Sequence, residues 1–166
     1  LLVHLLRHEL PGIEILELTP AQYPDVYALL QQNPDSMPTD LIGPLSGEAD
    51  MEGEAPRKCF LGFYRQHRLC ALADLTLGYP QRGVLWIGYF MVDAALRRQG
   101  IGSAILSRFI FAATLYGIPS LQLCVDSGDT ASRVFWQTIG FEEICSVFGN
   151  NVSGETYSCI VMEQQL

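Results

Sequence analysis

The sequence predicts a single α/β domain in which a mixed sheet carries helices on both faces. Three observations support this. At 166 residues the chain is long enough for one domain with a substantial core. Hydrophobic residues make up 49% of it and charged residues 17%, a globular composition. Apolar patterning also alternates along the chain between strand-like runs and helix-like stretches with a 3.6-residue period.

Taken in order, residues 1–12 read as an N-terminal extension and 13–166 as the domain. The opening "LLVHLLRHEL" is too short and too charged to span a membrane, and it has no small-residue cleavage site, so neither a membrane span nor a signal peptide is expected there. "IEILEL" predicts a strand. Thr19-Pro20 predicts an N-cap followed by a proline in the first helical turn, opening a helix to about Gln32. Residues 33–56 hold four prolines and six acidic residues with no basic one, and are expected to form a long loop. "KCFLGFYRQ" and "RLCALADLTL" predict a hairpin turning at Gln66-His67, with His67 merely solvated. "VLWIGYFMV" reads as a central strand buried on both faces.

A helix follows, with apolar positions at Ile101, Ile105, Leu106, Phe109, Ile110 and Ala113, ending near Tyr116-Gly117. "LQLCV" is a further buried strand, "TASRVFWQTIG" a short helix closed by Gly140, and "EEICSVF" and "TYSCIVMEQ" a last antiparallel pair.

Net charge is -8, from 18 acidic and 10 basic residues, which disfavours nucleic acid as a partner and favours cationic ones. The five cysteines are odd in number and none forms a C-x-x-C pair. Free thiols in a cytoplasmic protein are expected, with no metal site.

Against this acidic background "ALRRQGIGSAIL", residues 95–106, is conspicuous. A strand running into a glycine-rich turn and then a helix leaves unpaired N–H groups and a positive dipole end, which suit an anion. A Walker A string is absent, and Ile105 occupies the third glycine of the dinucleotide fingerprint. The pattern that fits is [QR]-x-x-G-x-[GA], spanning Arg97 to Gly102, followed about 25 residues later by "DTASRVFWQTIGF", which is similar to N-x-x-A-x-x-[LF]-Y-x-x-x-G-F.

Together with the strand order, these motifs resemble the GCN5-related N-acetyltransferase (GNAT) superfamily over about residues 13–166. The resemblance implies a mixed, mostly antiparallel central sheet with helices on both faces. It also implies N-acyltransfer from acetyl-CoA to an amine of a small molecule or protein, and it admits a homodimer. It assigns the pyrophosphate to Arg97, Arg98, Gln99, Gly100, Ile101, Gly102 and Ser103, and the pantetheine arm to Phe90, Met91 and Val92. Asp129 and Ser132 match the Asn and Ala positions beside the cofactor.

The family's catalytic pattern is not repeated. Trp136 stands where a Tyr commonly protonates the thiolate, and an indole N–H is too weak an acid for that. Trp86, Gly88 and Cys124 occupy the stations of the usual general base. Asp74, on the polar side of an alternating strand, and Asp126, at the end of another, are the candidate catalytic carboxylates; a structural acid and a turn cap are the plainer readings. Alternation points Tyr89 away from Trp86, into the core. Cys124 has no His–carboxylate pair to activate it and reads as a small buried side chain. Glu48, Asp50, Glu52 and Glu54 form an acidic segment expected to attract a cationic acceptor. The empty stations also leave open a degenerate acyl-CoA-binding sensor.

Overall fold

The computed structural model describes residues 10–36, 57–150 and 156–166. Seven strands form one sheet: β1 (Glu14–Glu17), β2 (Arg57–Arg65), β3 (Arg68–Leu77), β4 (Val84–Val92), β5 (Ser120–Asp126), β6 (Glu142–Asn150) and β7 (Thr156–Gln165), in the spatial order β1-β2-β3-β4-β5-β7-β6. Every neighbouring pair is antiparallel except β4 and β5, which run parallel. Among the described residues three α-helices accompany the sheet, α1 (Tyr23–Gln32), α2 (Ile101–Leu115) and α3 (Thr130–Ile139). No helix among the described residues is long and apolar enough to cross a membrane.

Alternation along the strands divides the core in two. Ala71, Ala73 and Leu75 of β3 face Ile105 and Phe109 of α2 and Trp136 of α3. Leu72, with Phe60, Tyr64 and Met91, meets Val26, Leu29 and Leu30 of α1 on the opposite face. The expectation of helices on both faces is met, with α1 on one side and α2 and α3 on the other.

Helix boundaries follow their capping chemistry. Thr19 donates both its N–H and its hydroxyl to Gln22 Oε1, at 2.9 and 2.7 Å, so the expected helix begins as a 3₁₀ turn at Pro20–Gln22 and becomes α-helical from Tyr23. Asn33 ends α1, its side-chain amide donating to Leu29 O at 2.8 Å. Helix α2 closes with Ile118 N–H donating to Ala113 O at 3.0 Å, and α3 with Phe141 N–H donating to Trp136 O at 3.1 Å, in each case across an intervening glycine.

Two expectations are corrected. Cys124 and Cys159 are not free thiols: they form a disulfide with a Cα–Cα distance of 6.1 Å. The reason is strand order. Strand β7 inserts between β5 and β6, so Cys159 lies opposite Asp126 and diagonal to Cys124 despite a sequence separation of 35. Cys124 is accordingly half-buried and bonded, and of the remaining cysteines only Cys70 is buried, Cys59 being half-buried and Cys145 exposed.

The second correction concerns Tyr89. Asp74 pairs with Tyr89 while Leu75 pairs with Ile87, which leaves Gly88 as the extra residue of a β-bulge. The bulge resets the alternation, so Trp86 and Tyr89 share the α1 face.

The β2–β3 hairpin turns where expected, with Gln66 at φ 51° and His67 at φ 62°. Both central residues are thus left-handed, a conformation costing roughly 1–2 kcal/mol each for ordinary side chains and little for Asn-Gly. Replacing the pair by Asn-Gly should therefore raise stability by about 1 kcal/mol. In urea unfolding this is expected as a higher midpoint at an unchanged slope; a lower midpoint would show that the exposed Gln66 and His67 side chains contribute more than their backbone strain costs.

Candidate functional site

Strands β4 and β5 stay paired only from Val84↔Ser120 to Ile87↔Leu123. Beyond that point each keeps its other neighbour. Strand β4 continues along β3 to Val92↔Ala71, and β5 along β7 to Asp126↔Cys159. The sheet therefore opens into a notch, with Gly88 to Val92 on one edge and Cys124 to Asp126 on the other. The bulge begins at the same place, and a bulged strand bends and twists away from its neighbour. Gly88 suits this position, since a Cβ here would lie 3.0 Å from Asp74 Oδ2 and press on the carboxylate.

At the foot of the notch the chain turns into α2. Asp93 Oδ1 accepts from Ala95 N–H at 3.1 Å, shaping the 3₁₀ turn Ala94–Leu96. Arg98 at φ 63° and Gly100 at φ 79° then redirect the backbone. Within α2 the hydrogen-bond ladder starts with Ala104 N–H donating to Gly100 O at 2.9 Å, so the N–H groups of Ile101, Gly102 and Ser103 have no intrahelical acceptor. Arg97, Arg98, Gln99 and Gly100 are all exposed, and a Cβ built on Gly100 would meet nothing within 4 Å. This is an open, positively polarised backbone cradle with the geometry an anion requires. Gly102 packs differently: its built Cβ would meet Phe135 and Val92 at 3.5 Å and Phe90 at 3.7 Å.

Helix α3 approaches the cradle through Phe135. Its N-cap is Asp129, which accepts from Ser132 N–H at 3.0 Å and from the Ser132 hydroxyl at 2.6 Å. These bonds hold the Asp129 carboxyl below the usual carboxylate range. Asp129 and Ser132 thus satisfy each other at the mouth of a helix. Trp136 is buried in an aromatic cluster, with ring centroids 5.9 Å from Phe90, 5.4 Å from Phe135 and 5.2 Å from Phe141. It is part of the packing beneath the notch.

On the α1 face two transverse rows of side chains flank the notch. One runs Thr76, Trp86, Gln122, Glu163, Glu142 across β3, β4, β5, β7 and β6. Within it Gln122 donates to Glu163 Oε1 at 2.7 Å, which favours the ionised carboxylate and lowers its pKa. The other row places Asp74 and Tyr89 on one bank and Cys124, Val161 and Cys145 on the other.

Asp74 is 3% exposed, with Lys58 Nζ 3.3 Å from Oδ2 and no hydrogen-bond partner recorded for Oδ1 among the described residues. Burial raises its pKa, and Lys58 offsets only part of that. Burial likewise pushes the Tyr89 phenol up to about 12, with Arg97 opposing, and the phenol donates to Ser36 O. Asp126 is committed elsewhere, its Oδ1 accepting from Gly128 N–H at 2.8 Å in the turn before α3.

The structure thus gathers Phe90, Met91, Val92 and the residues from Arg97 to Ser103 around one notch, with Asp129 and Ser132 at the neighbouring helix. Glu48, Asp50, Glu52 and Glu54 lie outside the described residues. Lys58, Gln122 and Glu163 were not singled out from the sequence, because only the sheet register brings them beside Asp74 and Trp86. Gly88 alone carried a local signal, as a glycine inside an apolar strand.

A family model described as "Acetyltransferase (GNAT) family" matches residues 14–141. No curated protein sequence matches significantly. Among solved structures, the ribosomal-protein-S18-alanine N-acetyltransferase from Escherichia coli superposes with a TM-score of 0.70 at 20% identity, covering 92% of this chain and 93% of that one. Ard1 from Thermoplasma volcanium gives a TM-score of 0.70 at 17% identity, with 93% and 98% covered. A Bacillus subtilis acetyltransferase in complex with CoA gives 0.63 at 15% identity, with 93% and 97% covered. At such identities these likenesses are ones of fold, and they agree with the seven-stranded, mostly antiparallel sheet. With the family model spanning most of the domain, including the notch and the cradle, the chain belongs to the GNAT acetyltransferase family.

Proposed function

We propose that this chain transfers an acetyl group from acetyl-CoA directly to an amine of a small molecule or protein. The observation that carries the reading is the continuity between the unpaired strand edges of the notch and the open helix N-terminus at Gly100. The edge of β4 from Gly88 to Val92 offers backbone groups to the amides of a pantetheine arm, as an added strand would. The N–H groups of Ile101, Gly102 and Ser103 then receive the pyrophosphate, with the exposed Arg98 adding charge. The CoA complex of the Bacillus subtilis relative supports this assignment by analogy of fold.

The thioester then lies near Gly88 and Tyr89, and the acceptor enters over the α1 face. The amine nitrogen attacks the carbonyl carbon, the C–N bond forms, the C–S bond breaks and the thiolate leaves. Most of the rate comes from positioning, since the thioester is already activated. Of the two candidate carboxylates, Asp126 is exposed and accepts a turn N–H, whereas Asp74 lies beside Gly88 with a raised proton affinity; we assign the proton-accepting role to Asp74. Asp74 Oδ2 lies close beside the Gly88 backbone that lines the notch, where a Cβ would meet it at 3.0 Å. Trp136, buried and non-acidic, does not protonate the thiolate, which takes its proton from solvent.

Calorimetric titration with CoA tests the donor site. Gly100→Asp and Gly102→Asp should each weaken binding by at least about tenfold, through charge beside the pyrophosphate. Gly102→Ala should bind as the wild type does, because the new methyl meets its neighbours at ordinary contact distances of 3.5 to 3.7 Å. Unimpaired binding by both Asp variants would refute the cradle.

Asp74 has a folded pKa raised above the ordinary 3.8, so folding favours its protonated form. Its contribution to stability is full below pH 3.8 and is lost as pH rises through the folded value. Asp74→Asn should abolish that loss, so in urea unfolding the variant gains on the wild type as pH rises above 3.8. Lys58→Ala should move the loss to higher pH. In acetyl transfer, Asp74→Asn should lower kcat by about 10²–10⁴-fold, as removal of a general base does. Full activity of the variant would exclude Asp74 from proton transfer.

A further inference from the structure

Arg97 and Arg98 are adjacent, but the structure uses them differently. Arg98 takes the left-handed conformation and is exposed, with no hydrogen bond or ion pair recorded among the described residues. Arg97 folds back. Its Nε donates to Val92 O at 2.9 Å, at the end of β4, and its Nη2 donates to Ser36 Oγ at 2.6 Å, in the 3₁₀ turn Pro34–Ser36 that follows α1. Ser36 O in turn accepts from the Tyr89 phenol on the bank of the notch.

Further bonds run in parallel with this one. Asn33, itself 3% exposed, accepts from Ala94 N–H at 2.6 Å through Oδ1. Arg68 joins Gln32 Oε1 at 2.7 Å to Asp93 Oδ2 at 3.1 Å. The segment from Gln32 to Ser36 is thus fastened at Gln32 (through Arg68), Asn33 and Ser36 to the segment from Val92 to Arg97, which enters the cradle.

We infer that Arg97 is a positioning residue that couples occupancy of the donor cradle to the order of the Gln32–Ser36 segment on the acceptor face. This rests on the donor site proposed above. The planar guanidinium suits the role because it donates to acceptors on two segments from two nitrogens held apart in a fixed geometry, Nε and Nη2, whereas an ammonium donates from a single point. A ligand that orders the turn after β4 thereby lowers the cost of ordering the acceptor-side wall.

Amide hydrogen exchange with and without CoA tests the coupling. In the wild type CoA should slow exchange across Gln32–Ser36 by about tenfold. Arg97→Ala should still bind CoA within about threefold of the wild type, yet lose this slowing. Arg97→Lys should lose it as well, although the charge is kept. Ser36→Ala breaks the same bond from its other end with Arg97 intact, and should reproduce the loss. Arg98→Ala should do the reverse, weakening CoA by at least about tenfold and retaining the slowing at saturating CoA. Slowing that persists in both Arg97→Ala and Ser36→Ala would overturn the inference, as would an Arg97→Ala defect in CoA binding as large as that of Arg98→Ala. If the wild type binds CoA but Gln32–Ser36 does not respond, the coupling alone fails; if it does not bind CoA, the donor site and the coupling fall together.

Discussion

The site depends on the close approach of the Asp74 carboxylate to the backbone of Gly88. A Cβ there would sit 3.0 Å from Oδ2, so any other residue would press on the carboxylate and require it to give by a few tenths of an ångström. The extra residue of the bulge falls at the same position, and the parallel pairing of β4 with β5 ends one residue earlier at Ile87↔Leu123. One local irregularity therefore opens the notch, exposes the backbone edge of β4 and turns Tyr89 onto the α1 face. It also sets a buried carboxylate with a raised proton affinity beside the Gly88 backbone.

The two faces of the notch are built in different ways. Beneath it, Phe90, Phe135, Trp136 and Phe141 pack as a tilted aromatic cluster that supports the cradle through Phe135 against Gly102. Trp136 contributes ring surface among three other rings there. Above it, on the α1 face, the packing gives way to polar fastenings: Arg97 to Ser36, Ala94 to Asn33, and Arg68 to Gln32 and Asp93. The apolar side gives a fixed platform. The polar side joins elements far apart in sequence by hydrogen bonds, among them those to the buried Asn33 and Asp93.

The disulfide between Cys124 and Cys159 ties β5 to β7 at the far bank of the notch. It fixes the edge that faces β4 without adding a hydrogen-bonding group to it. Cys124 is thus structural, and the position that some relatives fill with a glutamate contributes no carboxylate here.

Much of this was legible from residue order because it rests on local chemistry. Apolar periodicity marked α2 with its buried face at Ile105, Phe109 and Ala113. The glycine at position 100 and the proline after Thr19 marked helix entries, and Gln66-His67 the hairpin. The turn before α2 carried a local signal because what an anion would need, a missing side chain at Gly100 and free N–H groups at a helix start, lies within a few consecutive residues. What the tertiary structure alone decided depends on register and strand order. The bulge reversed the side to which Tyr89 points, and insertion of β7 between β5 and β6 paired Cys124 with Cys159. What separates Arg97 from its neighbour Arg98 is a bond to Ser36, a residue 61 positions away from Arg97. Local patterns specify which backbone groups are free. Which side chain meets them is set by packing between distant segments, and that is where the sequence alone could not distinguish a ligand from a strut.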